Sequence, residues 1–209
     1  MANAAIPIQL IHAPQHNGMV IPYIALRHAD STPEFGRVEP ARVTECILER
    51  RCQLCAQELA DAAVLMARPQ DYADGYVPEP AEHPWCAAYS IRACPMLSGR
   101  LPRHRDRTRP TRRHCTLPEA CWCGSNEPPS VDAIVRSGRA ATPWYSVRFP
   151  MSEYEVVESA RKGPRGISLR ALAHPKVRLV ARGHPEPHDL VRLVLWDLPW
   201  PAAGDEGGH

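Results

Sequence analysis

Long apolar runs are absent from this chain of 209 residues. No stretch approaches the roughly 20 apolar residues that a membrane-spanning helix requires, so we expect no membrane partner. The first residues carry neither a basic segment nor a long apolar one, which predicts that there is no signal peptide and that the protein is cytoplasmic. In a reducing cytosol the eight cysteines are better interpreted as metal ligands than as disulfide partners.

Phenylalanine and lysine are also scarce, with two Phe and only Lys162 and Lys176, whereas proline is abundant at 23 residues. A hydrophobic content of 44% still suffices for a folded core, but the prolines predict short elements joined by many loops. The formal net charge of +2 excludes a strong overall field that would draw the chain to nucleic acid.

Motifs of common enzyme classes are missing too. Gly-x-Ser-x-Gly is absent, and Gly163-Pro-Arg-Gly166 is too short for a phosphate-binding loop and is not followed by Lys-Ser/Thr. Four mid-chain carboxylates could support acid–base chemistry, but at the tip of a hairpin we expect them to be solvated: Asp71, Asp74, Glu79 and Glu82. We therefore expect no small-molecule cofactor and favour a protein that is not an enzyme.

Four residues in the middle of the chain have the types and the spacing of a zinc site. Cys52 and Cys55 form a Cys-x-x-Cys knuckle, and His83 and Cys86 lie three residues apart in His-Pro-Trp-Cys. Zn²⁺ prefers four tetrahedral ligands drawn from Cys thiolates and His nitrogens. Pro84 suits the first position of a helix, whose first turn would present His83 and Cys86 on one side. The pattern predicts one structural zinc ion, because four protein ligands leave no open position for water.

Two alternatives to this ligand set remain open. The cysteines could be buried free thiols beside an unrelated His, since Cys is often simply buried. Cys94 could also replace His83, although its position two helical turns beyond Cys86 favours packing in the core.

The order of knuckle, hairpin and helix resembles that of a treble clef zinc finger. This resemblance implies a treble-clef-like module at residues 40–97. Within it, the apolar run at 62–66 and the stretch with turn chemistry at 71–77 predict a hairpin in residues 56–82. The same scaffold carries HNH endonucleases, which need a general-base His on the hairpin and a supporting Asn. Residues 56–82 contain neither His nor Asn, which disfavours that kind of nuclease.

A second resemblance rests on three motifs: Arg51-Cys-x-x-Cys, Glu79-Pro-x-Glu-His-Pro-Trp-Cys-Ala-Ala-Tyr and Arg92-Ala-Cys-Pro-Met-Leu. They are similar to the Arg-Cys-x-x-Cys-Gly, Glu-Pro-Pro-x-His-x-x-Cys-Ala-x-Tyr and Cys-Pro-x-Leu series of an uncharacterised family of small bacterial and phage proteins. The resemblance covers roughly residues 18–100 and implies a zinc-binding module without a particular reaction. Ala56 departs from the family, which usually has Gly directly after the knuckle.

A further group of candidate ligands lies in His-Cys-Thr-Leu-Pro-Glu-Ala-Cys-Trp-Cys. We expect its members to be able to bind a second zinc ion, with His104 as an alternative His: His114, Cys115, Cys121 and Cys123. Adjacent His114 and Cys115 cannot easily face one ion, so a loop with free or redox-sensitive thiols is the alternative interpretation.

Arginines crowd the proline-broken stretch that precedes this group. They are candidate contacts to nucleic acid or to an acidic partner: Arg100, Arg103, Arg105, Arg107, Arg109, Arg112 and Arg113. Such contacts would bind phosphates rather than recognise bases. The alternative is a solvated linker in a protein whose coding sequence favours Arg.

Several local patterns predict secondary structure. His16-Asn-Gly predicts a turn, and Pro40 the start of a helix. Residues 151–162, with Ser152 as a cap and Tyr154, Val157 and Ala160 on one face, predict another helix. Three alternating segments predict strands: 144–149, 176–180 and 190–196.

Together these patterns predict an α+β protein. We expect five regions: an extended N-terminal segment at 1–39, the treble-clef-like zinc module at 40–97, an Arg/Pro-rich linker at 98–130, a C-terminal α+β region at 131–200 and a disordered tail at 201–209. The favoured function is a zinc-stabilised binding or adaptor protein that contacts nucleic acid or another protein, with Trp85 and Tyr89 as anchors if they are exposed. The alternative is a divergent metal-dependent nuclease or hydrolase with a second metal at 114–123.

Overall fold

The computed structural model describes residues 4–104, 121, 136–159 and 163–183. Within these ranges the protein is mixed α/β, with short helices and small antiparallel sheets. The helices are α1 (Pro40–Leu48), α2 (Pro69–Asp74) and α3 (Pro84–Ala93). The strands are β1 (Gln15–His16), β2 (Met19–Val20), β3 (Ala25–Arg27), β4 (Pro33–Val38), β5 (Ala62–Ala67), β6 (Tyr76–Val77), β7 (Trp144–Pro150), β8 (Val156–Ser159), β9 (Gly163–Ser168) and β10 (Lys176–Ala181).

The helices α1, α2 and α3 each begin at a proline. Proline is favourable there because its ring fixes a helical φ and its missing N–H would have no partner in the helix. The predicted helix starts at Pro40 and Pro84 are confirmed, and α3 ends at Ala93, directly before Cys94 and Pro95.

The N-terminal segment contains more regular structure than the extended chain that we predicted. β1 and β2 form a hairpin around Asn17 and Gly18, whose φ angles of 50° and 73° are those of a two-residue hairpin turn. A 3-10 turn at Ile8–Leu10 precedes the hairpin, and β3 pairs with β4 after it. The buried side chains of Leu10 and Val20 pack in the main hydrophobic core and so attach this segment to it.

One three-stranded sheet has the order β10-β7-β5 and is antiparallel throughout. Leu65 lies opposite Val147, and both side chains are buried together with Phe149. A second sheet has the order β6-β9-β8 and adds Ile167 to the same core. The strands predicted at 144–149 and 176–180 are confirmed as β7 and β10.

The hairpin expected within residues 56–82 takes a different form. β5 and β6 do not pair with each other, because β5 pairs with β7 and β6 pairs with β9. The return towards α3 is made instead by an antiparallel bridge in which Val64 and Glu82 exchange backbone hydrogen bonds of 2.8 and 2.9 Å. The segment with turn chemistry between them contains α2, which ends at Gly75 with a left-handed φ of 79°.

The prediction of a helix at 151–162 is wrong for residues 151–159, the part of this range that the structure describes. Residues Met151–Glu153 form only a 3-10 turn, and Val156–Ser159 continue as β8 paired with β9. The two adjacent β-branched residues Val156 and Val157 favour this strand, and the Tyr154 hydroxyl donates a 2.9 Å hydrogen bond to the Ile47 carbonyl instead of lying on a helix face.

The described part of the predicted linker is tied to the C-terminal region. Arg103 bridges to Ala140, and the His104 N–H donates a 2.9 Å hydrogen bond to the Arg139 carbonyl. The predictions for 190–196 and for the tail at 201–209 lie outside the described residues, as does most of 105–130. No described helix is both long enough and apolar enough to cross a membrane.

Candidate metal centre

The first half of the centre is a tight loop directly after α1. The Cys52 N–H donates to the Gln57 carbonyl and the Ala56 N–H donates to the Cys52 carbonyl, each at 2.9 Å. Arg51 also bridges to Glu58, so the chain reverses around the two cysteines. Ala56 closes this turn with a left-handed φ of 63°, a conformation that glycine adopts with less strain.

The second half is the N-terminus of α3. The Val64–Glu82 bridge brings the chain to His83, which is the N-cap residue, and Pro84 then starts the helix. The Ala87 N–H donates to the His83 carbonyl at 2.9 Å, so Cys86 lies one turn above His83 on the same side. The helix start thus directs an imidazole and a thiol towards the knuckle.

The four predicted ligands meet at one point. The ligand atoms of Cys52, Cys55, His83 and Cys86 all lie within 4.8 Å of one another. His83 Nδ1 is 3.5 Å from the Cys55 sulfur and 4.0 Å from the Cys86 sulfur. Tetrahedral Zn²⁺ with ordinary Zn–S and Zn–N bond lengths separates sulfur from nitrogen by about 3.6 Å. The cluster is therefore close enough to hold a metal ion, and three sulfurs with one nitrogen suit zinc.

The centre is buried from most directions. Cys52 and Cys86 are fully buried, His83 is 4% exposed, and Cys55 is partly exposed. Such burial limits exchange of a bound ion with solvent and keeps the ligands in fixed orientations.

A backbone contact sets the orientation of the imidazole. His83 Nε2 lies 2.9 Å from the Glu58 carbonyl oxygen, which can only accept, so the ring donates there and leaves Nδ1 to face the sulfurs. Burial lowers the pKa of His83, but the hydrogen bonds to Cys55 and to the Glu58 carbonyl raise it by more. The tautomer is the one that a metal bound through Nδ1 requires.

Without a cation, the mutual hydrogen bonds of the three thiols favour one thiolate and two protonated thiols. Hydrogen bonds from Cys52 and Cys86 lower the pKa of Cys55 strongly. The hydrogen bond to Cys55 raises the pKa of Cys52, and those to Cys52 and Cys55 raise the pKa of Cys86. A divalent cation would remove this preference, because it stabilises all three thiolates at once.

Glu82 is a supporting residue that sequence reasoning assigned to solvent. Its side chain is buried, and it accepts 2.8 Å hydrogen bonds from Gln53 Nε2 and from the Ser90 hydroxyl. Burial raises the pKa of Glu82 to about 7, although both hydrogen bonds act in the opposite direction. The carboxyl group thereby links the knuckle to α3. The sequence around Glu82 contains prolines and the ligands His83 and Cys86, but no hydrophobic periodicity that would predict a buried carboxylate.

Asp71 is a second expected surface carboxylate that is buried. It forms a 2.6 Å ion pair with Arg68 and accepts a 2.8 Å hydrogen bond from the Arg68 N–H. The pair starts α2, and the Arg68 guanidinium lies 5.5 Å from the centre of the Trp144 ring. Both charges are satisfied locally, so the pair serves the fold.

The two aromatic residues of α3 differ in exposure. Tyr89 is buried, and its hydroxyl accepts a 2.9 Å hydrogen bond from the Val20 N–H, so it cannot be a surface anchor. Trp85 is 41% exposed and stacks on the His83 ring at 4.6 Å. Cys94 is partly buried against a separate cluster with Val64, and the close group of ligand atoms contains His83 rather than Cys94.

The other sequence candidates are described only in part. Cys121 lies with its sulfur 3.6 Å from His28 Nδ1, whereas His114, Cys115 and Cys123 lie outside the described residues. Arg100 donates to the Ala93 carbonyl at 2.7 Å and Arg103 donates to the Gly138 carbonyl at 3.3 Å, so both guanidinium groups contact the fold itself. The remaining candidates of the arginine stretch also lie outside the described residues: Arg105, Arg107, Arg109, Arg112 and Arg113.

Comparisons with protein-family models, with curated proteins and with solved structures give no match to this chain.

Proposed function

We propose that the chain is a zinc-stabilised binding or adaptor protein. The observation that carries this proposal is the close group of Cys52, Cys55, His83 and Cys86, in which three sulfurs and one oriented imidazole share one point. Four protein ligands fill the coordination sphere of Zn²⁺, which is typical of a structural ion rather than of one that activates water.

A treble-clef-like module is the interpretation of residues 40–97 that we favour. Three features support it: a turn that carries the first two ligands, an antiparallel return through Val64 and Glu82, and a helix whose first turn carries the other two. The motif resemblance to small bacterial and phage proteins agrees with this interpretation. It adds no reaction, so the proposal stays with binding.

Trp85 is the described residue best suited to contact a protein partner. A tryptophan that is 41% exposed, and that is held by stacking on a metal ligand, offers a rigid apolar surface at little cost in side-chain entropy. Nucleic acid is the second partner class, through the arginine stretch that includes Arg105, Arg107 and Arg109.

Metal content and nuclease activity together test the first part of the proposal. We expect tightly held zinc in the purified protein, and no nicking of plasmid DNA with Mg²⁺ or Mn²⁺. A Cys55→Ser variant should lose one zinc ion, whereas Cys94→Ser, a partly buried thiol outside the group, should keep it. Cleavage that is abolished by Cys121→Ser would instead favour the nuclease or hydrolase alternative. A purified protein without any transition metal would contradict the proposal outright.

Charge reversal tests the nucleic-acid partner. A triple variant with Glu at positions 105, 107 and 109 is compared with a control that carries the same change at the exposed Arg92, Arg165 and Arg178. Binding through phosphates falls steeply with salt, so affinity for DNA and RNA is measured at two salt concentrations. We expect the test variant alone to lose affinity and salt dependence. Equal affinity for both variants would eliminate the arginine stretch as the contact.

A further inference from the structure

The first centre, as distinct from the second one predicted at residues 114–123, consists of four ligands in two pairs: Cys52 with Cys55, and His83 with Cys86. Direct contacts between protein groups join the segments that carry the two pairs. Gln53, which lies between the knuckle cysteines, donates from its backbone N–H to the Ala81 carbonyl at 3.1 Å and from Nε2 to the Glu82 carboxyl group at 2.8 Å. The other oxygen of Glu82 accepts from the hydroxyl of Ser90, one helical turn beyond the last ligand, at 2.8 Å.

The backbone of Glu82 is fixed as well as its side chain. Its N–H and carbonyl exchange hydrogen bonds of 2.9 and 2.8 Å with Val64 in β5. His83 follows Glu82 directly, so the residue before the imidazole ligand is attached to β5 through its backbone and to the knuckle and α3 through its carboxyl group. The position of His83 therefore depends on both sets of contacts.

A carboxyl group is a costly choice for this buried position. Glu82 is 3% exposed, and its burial costs free energy that an apolar side chain of similar size would not lose. At Asp71 the ion pair with Arg68 offsets that cost, whereas Glu82 has no salt bridge within the described part of the chain. Its two hydrogen bonds reach residues 29 and 8 positions away. Joining these segments is what the carboxyl group provides and an apolar side chain could not.

We propose that Glu82 is a positioning residue of the first centre, which holds both pairs of ligands in place before an ion binds. This role rests on the proposed function, in which the four ligands bind zinc. Glu82 is not itself in the ligand group. It acts through Gln53 on the knuckle, through Ser90 on α3 and through its own backbone on His83. Outer residues that orient metal ligands typically account for about 10–100-fold in metal affinity.

Zinc affinity of the full-length protein, measured by chelator competition, tests this role. Glu82→Leu, which has a similar size but cannot form hydrogen bonds, should weaken zinc binding roughly 10–100-fold. Ser90→Ala removes one of the two hydrogen bonds at little risk to the fold, and it should weaken binding roughly 2–10-fold. Glu82→Gln can still bond to both partners, since its amide oxygen accepts from Gln53 and its amide nitrogen donates to Ser90, so it should stay close to the wild-type affinity.

Three further measurements separate positioning from a general loss of stability. Ser90→Ala should have no further effect in the Glu82→Leu background, because its partner is already gone. Asp71→Asn weakens the contact of the other buried carboxyl group with Arg68, so it should lower the melting temperature without changing zinc affinity. In the chelator-treated, zinc-free protein, the backbone N–H groups of Gln53 and Glu82 should exchange slowly with deuterium in the wild type and much faster in Glu82→Leu.

The proposal is overturned if Glu82→Leu and Ser90→Ala bind zinc as tightly as the wild type, or if Asp71→Asn weakens binding as much as Glu82→Leu does. It is equally overturned if Glu82→Gln binds as weakly as Glu82→Leu, or if the zinc-free wild type gives no protection at Gln53 and Glu82. Zinc that Cys55→Ser removes and that Glu82→Leu leaves unaffected would leave the proposed function intact, whereas a wild type without zinc would contradict both.

Discussion

Buffered zinc should shift the stability of this protein by a fixed amount for each tenfold change in free metal. The reason is that Cys52 and Cys86 belong to the same buried core as Leu65, Phe149 and Ile167. A chain that unfolds this core must therefore also release the ion. Ligand that binds only the folded state stabilises it by RT ln(1 + [L]/Kd), which is about 1.4 kcal/mol per tenfold concentration well above Kd.

The expected size follows from that relation. For a chain of this length a change of 1 kcal/mol moves the melting temperature by roughly 2–4 °C, so each tenfold increase in free zinc should raise it by roughly 3–6 °C. The slope of the unfolding free energy against the logarithm of free zinc gives the number of ions released on unfolding. Two ions released together would give about 2.8 kcal/mol for each tenfold change in free zinc. Thermal unfolding in chelator-buffered zinc, monitored by circular dichroism and by tryptophan fluorescence, measures both quantities.

Two variants make the measurement decisive. Cys55→Ser removes a partly exposed ligand with little loss of packing, and it should abolish the contribution of the first centre. Cys94→Ser changes a thiol of similar exposure outside the cluster and should keep the wild-type slope. A melting temperature that does not respond to free zinc in the wild type would refute the coupling between the ion and the core.

Three further predictions concern single residues and pH. Ala56→Gly should stabilise the protein by up to about 1 kcal/mol in urea denaturation, because φ is 63° there; a loss of stability would show that the alanine is not strained. Phe149→Ala should destabilise it by roughly 3–5 kcal/mol in the same assay, and a change below about 1 kcal/mol would contradict its place in the core. Zinc affinity, measured by chelator competition, should rise roughly 100-fold from pH 7.5 to 8.5. The reason is that the pKa values of Cys52 and Cys86 are raised, so each thiol loses a proton when zinc binds. An affinity that does not change with pH would mean that both are already thiolates.

Elements with local signals were predictable from the sequence. Pro84 after a ligand His marked the start of α3, and Asn17-Gly18 marked a two-residue turn, because each residue type fixes the backbone by itself. The ligand set was also predictable, since Cys52 and Cys55 are close in sequence and His83 and Cys86 share one helical turn.

Features that depend on distant partners were not predictable in this way. Tyr154, Val157 and Ala160 have the sequence spacing of one helix face, yet Val156–Ser159 pair as a strand with β9. Glu82 looks like a surface carboxylate until Gln53 and Ser90 are brought to it by the fold. Local sequence patterns do not predict this strand pairing or these hydrogen bonds, because tertiary contacts rather than residue propensities determine them.

The antiparallel pairing of β5 with β7 joins residues on either side of a stretch of nearly eighty positions. A fragment that stops at residue 97 would keep all four ligands of the first centre but would leave one hydrogen-bonding side of β5 open. Open strand edges next to apolar side chains recruit other chains, so such a fragment should self-associate even when it is loaded with metal. The segment that carries the four candidate ligands therefore cannot be transplanted alone, because β5 also needs β7 as its partner strand.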